Sequence, residues 1–579
     1  MKVFLPLIFL FFYADVVHLP DGRKHFTIKS REPINGIRIA WDHKTLQQLS
    51  PESANYSGYP RMIKLRDESL FCVYESDKSI HAIKSSDGGI SWTKPNIIAV
   101  PENDVACAVP EVLQLQDGSI MVAYNLRPPR NNVNPQKRFS IRVLKSLDGG
   151  QRWSNPVEVY RAGYEFDNGC WEPAQIQLPS GEIQLYIANE APFTQSNEQE
   201  ITMFRSIDQG QRWSQGEKVS FRSGHRDGMP VPLLLQNHNE IIVAIEDNGI
   251  SGKEFKPAII RTSMTDSWSN APVTGSNVAR EYAMAATDSI PEENYAGAPY
   301  VRQLPSGDVI LSYQGNERRS DPQWDRSDMI VSIGNSEGRN FNRKSFPFYI
   351  SDPTKTALWN SVCAENDSTL IAISSTNAYG KTAVWMIKGY LFSEIKSTHR
   401  AGRADVEGPE ATRPDVFIGG YGSTQAKINT AWDSDALYLT ADVSDKKVFA
   451  ASGDISKNDA IGFYLDARNL SLELPGENIY SIIVTAAGKC SYRQGRNHSW
   501  SEWSPSGIKA KSKTNGKGYR IELEVPWSAL RHQPKLNQRI GFHAVLFETS
   551  TGRRHDYTEP LSGNITDAPY SWSPLYLTD

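Results

Sequence analysis

The sequence predicts an all-β protein in which a six-bladed β-propeller is followed by a β-sandwich. Three observations carry this prediction. A turn motif recurs with its aspartate at positions 87, 148 and 208, and a strand–turn–strand pattern recurs between residues 60 and 375. Neither repeat continues beyond about residue 413, so the remaining chain is expected to form a second domain.

The turn motif occupies residues 85–92 (SSDGGISW), 146–153 (SLDGGQRW) and 206–213 (SIDQGQRW). Its aspartates lie 61 and 60 residues apart (148 − 87 and 208 − 148), which suits one four-stranded blade with its loops. Aspartate accepts backbone N–H bonds within such a turn, glycine adopts a positive φ, and tryptophan packs between neighbouring sheets. We expect these turns at the rim of the blades and not at the axis.

The second repeat consists of an apolar strand that usually begins at a proline, a polar turn and another apolar strand. Its copies begin at Pro60, Pro110, Pro173, Pro230, Pro299 and Asn360. Six such units close a ring without exposed sheet edges, and we place this propeller at residues 27–392. The apolar run at residues 36–41 (GIRIAW) has no blade of its own and is predicted to close the ring by joining the last blade.

The N-terminal residues 1–20 are predicted to be a secretory signal peptide, with an uncleaved anchor as the alternative. Lys2 precedes an apolar run at residues 4–14 that is too short to span a bilayer. No other run reaches transmembrane length, so the mature chain is expected to be secreted, periplasmic or attached to the cell surface without a membrane span. The formal charge of −4, with both signs mixed along the chain, argues against nucleic acid as a partner.

Residues 393–413 are polar and are predicted to be a linker, and residues 414–579 are predicted to form the sandwich. Trp432 and Trp527 lie within its strand patterns and are expected in the core. Trp500 and Trp503 lie in a polar segment (NHSWSEW, 497–503), where two indoles can form a platform for a sugar ring. A loop cluster without a ligand is the alternative.

The candidate pocket lies at the propeller axis, where the first strand of each blade starts and the second strand ends. The residues directly before the six repeat starts are expected to converge there, and so are the residues that end the second strands. The first set is Tyr59, Val109, Glu172, Met229, Ala298 and Trp359. The second set is Glu75, Asn125, Ala188, Glu246, Gln314 and Ser375.

Glu172 and Glu246 are the two candidate catalytic residues, because they come from neighbouring blades at convergent positions. Glycosidic hydrolysis needs a carboxylic acid that protonates the leaving oxygen and a carboxylate that acts as nucleophile or activates water. Trp171 and Trp359 would desolvate one carboxyl and raise its pKa, as the acid role requires. The alternative is that each is an ordinary strand-end carboxylate. Residues expected to contact the sugar are Tyr59, Glu111, Trp171, Arg226, Asp227, Tyr300, Tyr313, Trp359 and Asn360.

The turn motif resembles the Asp box of the sialidase superfamily. Sialidases bind the substrate carboxylate with three arginines, the first of them two residues before the blade 1 proline, where this sequence has Gly58. Arg226 and Arg302 lie near other blade entries but complete no matching triad. The blade number and the glutamates on blades 3 and 4 are instead similar to glycoside hydrolase family 93 exo-arabinanases. This resemblance implies that Glu172 is the acid/base and Glu246 the nucleophile.

The residue pattern at 431–443, 458–466 and 525–530 resembles the family 9 carbohydrate-binding modules. That resemblance implies a sugar-binding sandwich and a structural calcium ion near Asp442 and Asp445. No catalytic metal is expected, because the sequence contains no metal-ligand motif. Cys107 and Cys170 each lie three residues before a repeat proline, and a disulfide between them is a hypothesis.

Together these patterns predict a secreted glycoside hydrolase that acts on a poly- or oligosaccharide, with an exo-arabinanase as one candidate. Two alternatives remain open. One is an exo-sialidase with relocated arginines, and the other is a glycan-binding protein without catalytic activity. The sugar, the linkage, the choice of exo or endo action and the stereochemical outcome depend on the loops over the pocket.

Overall fold

The computed structural model contains two compact units, one comprising Trp41–Leu391 and the other containing Phe392–Asp579. The described residues are 16–18, 24–26, 38–236, 239–320, 323–348, 350, 352–366, 369–392, 395–400, 414–419, 424–450, 453–470, 472, 474–549, 557–560, 567, 569 and 572–579. Within this part of the chain, no helix is long and apolar enough to cross a membrane.

Most of the predicted signal peptide lies outside the described residues, as do residues 393, 394 and 401–413 of the predicted linker. Near the N-terminus, strands β1 (Val16–His18) and β2 (Lys24–Phe26) pair with each other in antiparallel fashion. The next strand, β3 (Arg38–Gln48), belongs to the propeller.

Six four-stranded antiparallel sheets form the propeller, which confirms the predicted blade number. Blade 1 contains β4 (Ser57–Lys64), β5 (Leu70–Ser76), β6 (Ser79–Ser85) and β7 (Asn96–Ala99). Blade 2 contains β8 (Ala106–Gln114), β9 (Ile120–Arg127), β10 (Ser140–Ser146) and β11 (Val157–Arg161). Blade 3 contains β12 (Cys170–Gln177), β13 (Ile183–Asn189), β14 (Glu200–Ser206) and β15 (Glu217–Ser220).

The remaining blades have the same strand order. Blade 4 contains β16 (Asp227–Leu234), β17 (Glu240–Asp247), β18 (Lys256–Ser263) and β19 (Arg280–Tyr282). Blade 5 contains β20 (Ala296–Gln303), β21 (Val309–Gly315), β22 (Asp328–Gly334) and β23 (Asn342–Ser345). Blade 6 contains β24 (Ala357–Asn366), β25 (Thr369–Thr376), β26 (Ala383–Phe392) and, as its fourth strand, β3.

The N-terminal strand β3 closes the ring, as the apolar run at residues 36–41 predicted. It joins blade 6 beside β26, so the first and last strands of the propeller belong to one sheet. Beyond the ladder, Leu49 N–H donates to the Val384 carbonyl at 2.8 Å and Lys388 N–H donates to Thr45 Oγ1 at 2.9 Å. This arrangement pairs the strand edges that an open ring would expose to solvent.

The second strand of each blade is buried along most of its length, because neighbouring blades cover both of its faces. Strands β5, β13, β21 and β25 are buried at every residue. Their sequences are accordingly rich in apolar residues, and most of the polar residues in them lie in the C-terminal half of the strand, which approaches the axis. The ends of these strands therefore bring polar groups into an otherwise apolar interior.

The three copies of the repeated turn have the same hydrogen bonds. In each copy the aspartate accepts the N–H of the residue four positions later, at 2.9 Å. The tryptophan indole N–H donates to the glycine carbonyl three positions earlier, at 3.1 or 3.2 Å. That glycine has a positive φ of 86°, 94° or 85° in the three copies, which an L side chain rarely adopts. The turns thus have the local geometry that the motif predicts.

The first strand of every blade has a bulge at the same place, directly before the repeat proline or, in blade 6, before Asn360. The residue there has a left-handed φ between 46° and 52° in all six blades; these residues are Tyr59, Val109, Glu172, Met229, Ala298 and Trp359. Such a conformation costs about 1–3 kcal/mol for a non-glycine residue and is concentrated at functional sites. The proline suits the bulge because it has no N–H to leave unpaired.

The C-terminal unit is one curled, mixed sheet whose concave side encloses an apolar core, consistent with the predicted sandwich. Its strands are β27 (Ile395–His399), β28 (Val416–Gly419), β29 (Gln425–Trp432), β30 (Ala436–Ser444), β31 (Ala460–Asp466), β32 (Ile479–Thr485), β33 (Cys490–Arg496), β34 (Ser499–Glu502), β35 (Lys509–Thr514), β36 (Gly518–Pro526), β37 (Arg539–Glu548), β38 (Tyr557–Pro560) and β39 (Ser573–Thr578). Three short 3₁₀ helices occur in the described chain, at Phe166–Asn168, Ala286–Asp288 and Ile455–Lys457.

Two features of this unit bear on the predicted boundaries and core. Strand β27 lies within the predicted linker but pairs with β39 and β29, so the C-terminal sheet starts before residue 414. Trp432 and Trp527 are buried in the core as predicted, and both indole N–H groups donate to backbone carbonyls, of Thr578 and Asp433.

Candidate functional site

The predicted convergence of the pre-proline residues at the axis is confirmed. Tyr59, Val109, Met229 and Ala298 pack in one buried cluster, and Trp359 lies against it, although the five residues come from five different blades. Glu172 occupies the equivalent position in blade 3 with the same left-handed φ. The repeat therefore brings one partly exposed carboxylate to the axis beside a cluster of apolar and aromatic groups, and the space in front of that carboxylate is named the hollow below.

The second predicted set meets the first through hydrogen bonds between adjacent blades. The bulge removes the backbone N–H of each pre-proline residue from its strand ladder, so that group needs another acceptor. In four of the six blades a side chain at the end of the preceding blade's second strand provides it: Glu75 for Val109, Glu246 for Ala298, Gln314 for Trp359 and Ser375 for Tyr59, at 2.8–2.9 Å. These bonds explain why polar residues recur at the ends of the second strands.

Glu172 contacts Arg127, a residue that the sequence did not single out. Its Oε1 accepts from Arg127 Nη2 at 3.1 Å, and its side chain is 14% exposed. The guanidinium lies over the rings of Trp171 and Tyr59, at 4.8 and 5.6 Å from their centroids. Burial raises the pKa of Glu172 to about 7, and the positive charge of Arg127 limits this rise.

Glu246 is held between two glycines. One carboxyl oxygen, Oε2, accepts the Ala298 N–H at 2.8 Å. A Cβ on Gly297 would overlap Oε2, and a Cβ on Gly228 would come within 2.8 Å of Oε1. Burial raises the pKa of Glu246 to about 7, while the Ala298 N–H and the charge of Arg226 limit the rise. Oε1 is thus the oxygen of this carboxyl that is available for chemistry.

The two carboxyl groups interact with each other. The charge of Glu246 is one of the causes that raise the pKa of Glu172, and the guanidinium of Arg226 lowers the pKa of both groups. Arg226 itself forms an ion pair with Glu190 and donates to Asn197 Oδ1 at 2.7 Å. Two carboxyls with pKa values near 7 are each partly protonated near neutral pH, so one can act as an acid while the other is a carboxylate.

Raised pKa values of buried carboxyls predict a pH-dependent stability. An unfolded glutamate ionises near pH 4.3, so between that pH and 7 the folded protein retains a proton that the unfolded chain releases. Burial of Glu246 therefore costs stability increasingly as pH rises through this window. Glu246→Gln removes this cost. We therefore expect the melting temperature of Glu246→Gln minus that of wild type to be roughly 2–4 °C larger at pH 8 than at pH 5. Scanning calorimetry at both pH values measures this, and a pH-independent difference would contradict the raised pKa.

An aromatic wall connects the two carboxylates around the hollow. The rings of Tyr59 and Trp359 stack with centroids 4.6 Å apart and planes 12° from parallel. Trp324 lies 5.9 Å from Trp359 and 6.3 Å from Tyr295, measured between ring centroids. Tyr295 is next to Glu246, since a Cβ on Gly297 would overlap both its hydroxyl and Glu246 Oε2. Tyr59 and Trp359 thus form the inner part of this wall, and their contact with a sugar stays a prediction.

Glu111 and Tyr300 form a buried polar plug and do not line the hollow. Glu111 of blade 2 accepts from the Tyr300 hydroxyl of blade 5 at 3.2 Å, and these blades face each other across the ring. Arg61 Nε and Arg302 Nη2 pair with the same carboxylate at 3.2 and 3.4 Å. Asn360 is buried nearby, with its carbonyl 3.5 Å from Arg61 Nη1. The side chains of the plug therefore fill the centre of the ring where they meet.

Three further candidates point away from the hollow. Asp227 is fully buried, and both of its carboxyl oxygens bind Arg280, at 2.7 and 2.6 Å. The hydroxyl of Tyr313 donates to Glu317 at 2.8 Å. Trp171 packs between blades against Phe139 and Phe166 and reaches the site only through its contact with Arg127.

The C-terminal tryptophans do not form the predicted platform. Trp500 packs beside Tyr464, at 6.0 Å between ring centroids, and its indole N–H donates to Asp567 at 2.6 Å. Trp503 packs against Tyr480 at 4.7 Å, within the other apolar cluster of the sheet. Residues three apart in an extended segment point to opposite faces, so the two indoles are separated by the sheet.

The cysteine pair also differs from its hypothesis. Cys107 and Cys170 are both free and buried, and the Cys107 thiol donates to the Val100 carbonyl at 3.2 Å. They belong to separate apolar clusters, Cys107 with blades 1 and 2 and Cys170 with blades 2 to 4. No disulfide therefore braces the pocket at these positions.

Of the proposed calcium ligands, Asp445 fits the role and Asp442 does not. Both oxygens of Asp442 bind Arg520 Nη1, at 2.9 and 2.8 Å. Asp445 is buried, one of its oxygens has no hydrogen-bond partner, and its other contacts include the buried Asp459 carboxyl. Burial raises the pKa of Asp459 to about 7, and the charge of Asp445 adds to the rise. Two facing carboxyls are suitable ligands for a hard cation, although no group of three or more His, Cys, Asp and Glu residues occurs in the described chain.

Comparisons with known proteins locate similarity in both units. Residues 415–567 match the family model described as carbohydrate family 9 binding domain-like. The C-terminal unit is thus similar to family 9 carbohydrate-binding domains, as the sequence pattern predicted. No curated protein matches the chain in sequence.

Three solved structures illustrate the structural similarity. The α-L-arabinofuranosidase Arb93A of Fusarium graminearum is 18% identical over 62% of this chain and 98% of its own, with a TM-score of 0.44. An α-L-arabinanase of Penicillium chrysogenum is 16% identical over 61% of this chain and 97% of its own, with a TM-score of 0.43. A family 9 carbohydrate-binding module of Caldicellulosiruptor kristjanssonii is 19% identical over 32% of this chain and 93% of its own, with a TM-score of 0.27.

Proposed function

We propose that this protein is an exported glycoside hydrolase that cleaves glycosidic bonds of a poly- or oligosaccharide at the propeller axis. The observation that carries the proposal is the pair Glu172 and Glu246, two partly exposed carboxyls at the axial aromatic wall whose pKa values are raised to about 7 by burial. For ordinary strand-end carboxylates in solvent, a pKa raised by burial would not be expected.

In the proposed reaction, protonated Glu172 donates its proton to the leaving glycosidic oxygen while Glu246 Oε1 attacks the anomeric carbon. Glu172 then takes a proton from water, which displaces Glu246 and releases the sugar. These are the roles that the resemblance to family 93 implies. Oε2 of Glu246 stays bonded to the Ala298 N–H throughout, which keeps the attacking oxygen oriented.

The charges around the hollow favour a neutral sugar such as arabinose over an acidic one. Four carboxylates, Glu75, Glu172, Glu190 and Glu246, are accompanied by two guanidiniums, Arg127 and Arg226. An exo-sialidase needs arginines that are available to a substrate carboxylate, whereas Arg226 is paired with Glu190 and Arg302 with Glu111. The sialidase alternative is therefore less well supported than the hydrolysis of a neutral glycan.

A screen of the full-length protein against neutral and acidic glycans, with analysis of released products, tests this proposal. We expect release of a neutral sugar, with arabinan among the substrates. Release of sialic acid would favour the sialidase alternative. Retained binding without release of any sugar would favour a non-catalytic glycan-binding protein.

We further propose that the C-terminal sheet binds carbohydrate and that Asp445 and Asp459 hold a structural calcium ion. Calcium would compensate the two facing carboxyls, so we expect added Ca²⁺ to raise the melting temperature of the C-terminal unit by several degrees above that in chelator. Asp459→Asn should abolish the shift. Asp442→Asn is the matched control and should retain it, because Asp442 is occupied by Arg520. The calcium site would be contradicted if Ca²⁺ raised the melting temperature of Asp459→Asn as much as that of wild type, or if Ca²⁺ did not raise that of wild type.

A further inference from the structure

We infer that Trp324 forms an outer subsite, at which the sugar ring next to the one held between the two glutamates stacks. This inference rests on the proposed function and extends it to the second ring of the substrate. Trp324 was not among the residues singled out in the sequence, since it lies in the loop between β21 and β22 and outside both repeats.

Exposure along the aromatic wall increases from the axis outward. Tyr59 is 4% exposed, Trp359 is partly buried, and Trp324 is 49% exposed. The two neighbouring rings meet the indole at 64° and 52°, so neither is stacked on an indole face. Exposed tryptophan surface of this kind is typical of binding sites, because a large apolar face is gained at a small cost in side-chain entropy.

The loop that carries Trp324 is anchored to the strand that carries Trp359. The Ser327 hydroxyl donates to the Trp324 carbonyl at 2.7 Å, and the Ser327 carbonyl in turn accepts the Ala357 N–H at 2.9 Å. Arg326 Nη1 donates to the Thr354 carbonyl at 2.9 Å. These bonds tie the loop, on the C-terminal side of Trp324, to the chain that enters β24. The indole is therefore held in place before any ligand arrives, which lowers the entropic cost of binding.

The position of Trp324 relative to the carboxylates identifies the ligand class. It contacts Tyr295, which is next to Glu246, and Trp359, which stacks on Tyr59 beside Arg127 and Glu172. Tyr295 lies between the indole and Glu246, and Trp359 and Tyr59 lie between the indole and the Arg127–Glu172 pair, so the ring next to the sugar at the carboxylates is the one that reaches the half-exposed indole. The C–H face of a neutral sugar ring suits an indole face, whereas a single monosaccharide gains nothing from it. The inferred ligand is thus a neutral oligosaccharide of at least two units.

The test compares wild type, Trp324→Ala and Trp324→Phe in the full-length protein. With a substrate from the glycan screen, we expect Trp324→Ala to lower kcat/KM for di- and trisaccharides about tenfold or more. The glycosyl fluoride of the released sugar, which has no second ring, should change less than twofold, and Trp324→Phe should retain most of the oligosaccharide activity. Equal losses on the short and the long substrates would overturn the outer subsite and leave the proposed hydrolysis intact.

A binding arm uses the same substitutions in a Glu246→Gln background, so that no probe is cleaved. The probes are the mono-, di- and trisaccharides of arabinose, xylose, galactose, glucose and mannose, titrated by calorimetry. At least one disaccharide should bind more tightly than its monosaccharide, and Trp324→Ala should remove that difference. If the protein cleaves nothing yet shows this pattern, the subsite stands and the hydrolysis does not. If no disaccharide gains affinity over its monosaccharide, the subsite is wrong.

Discussion

Glu172→Gln and Glu246→Gln are each expected to lower turnover by at least about 100-fold while the protein keeps its fold. Glu172→Gln removes the transferable proton, and Glu246→Gln removes the nucleophilic oxygen. The stability of Glu246→Gln should not fall, because glutamine keeps the required hydrogen bond: Gln314 already accepts the Trp359 N–H in the equivalent position one blade further on, at 2.8 Å. In Glu172→Gln the amide oxygen can still accept from Arg127 Nη2. The measurement is kcat on a substrate from the glycan screen, together with the melting temperature.

Two matched controls separate chemistry from structure. Glu68→Gln makes the same chemical change at an exposed turn of blade 1, where 78% of the side chain is accessible, and should leave kcat unchanged. Glu75→Gln makes the same change at the position equivalent to Glu246, where Glu75 Oε2 accepts the Val109 N–H. Its melting temperature shows how much stability is lost when glutamine replaces a glutamate that bonds a backbone N–H. Near-wild-type turnover in both active-site variants would refute the assigned roles. If Glu246→Gln lost much thermal stability and Glu75→Gln did not, the expectation that the active-site variant keeps its fold would be wrong.

The repeats made the architecture and the convergence at the axis predictable. A proline at the same place in five strands marks a bulge, and a bulge leaves one N–H that the preceding blade must satisfy. This is why Glu172 and Glu246, chosen only by register, come to one hollow. The ring-closing strand followed from the same logic, because an apolar run without a blade needs a sheet edge to pair with.

Strand alternation would have excluded several of the wrong candidates. Asp227 pairs across the strands with Asp247, and Gly228 pairs with Glu246, so the two aspartates face the side opposite to the catalytic candidate. Tyr313 precedes Gln314 by one residue and is directed away from the axis for the same reason. Side chains alternate between the two faces of a strand. Applying this alternation at the strand ends, in addition to the repeat register, therefore shows which residues face the hollow and which face the interior of the blade.

Other residues of the site had no signal in the sequence. Arg127 lies two residues beyond the predicted strand end, yet its long side chain returns to Glu172. Tyr295 lies in the segment between blades 4 and 5, and Trp324 lies in the loop between β21 and β22 of blade 5. Neither segment follows either repeat. The segment that leads into a strand and the loop that leaves one vary in length from blade to blade, so register along the chain does not determine where their side chains lie in space.

The second large effect is expected at the axial plug, where Glu111→Gln should lower the free energy of unfolding by about 3 kcal/mol or more. The substitution leaves the buried guanidinium of Arg61 and that of Arg302 without their common carboxylate. Glu68→Gln is again the control, because its exposed pair with Lys64 is worth at most about 1 kcal/mol. Denaturant unfolding of the full-length protein, followed through the transition of the propeller, gives both values.

A double-mutant cycle shows whether the loss arises at this ion pair or from general repacking. If Glu111 and Arg302 stabilise the ring by pairing across it, Arg302→Gln should cost less in the Glu111→Gln background than in wild type, with a coupling energy of about 1 kcal/mol or more. Simple additivity would show that the two residues act independently. Since blades 2 and 5 face each other, a measured coupling would mean that the plug joins opposite sides of the ring. It would then also form the floor against which the hollow of Glu172 and Glu246 is held in shape.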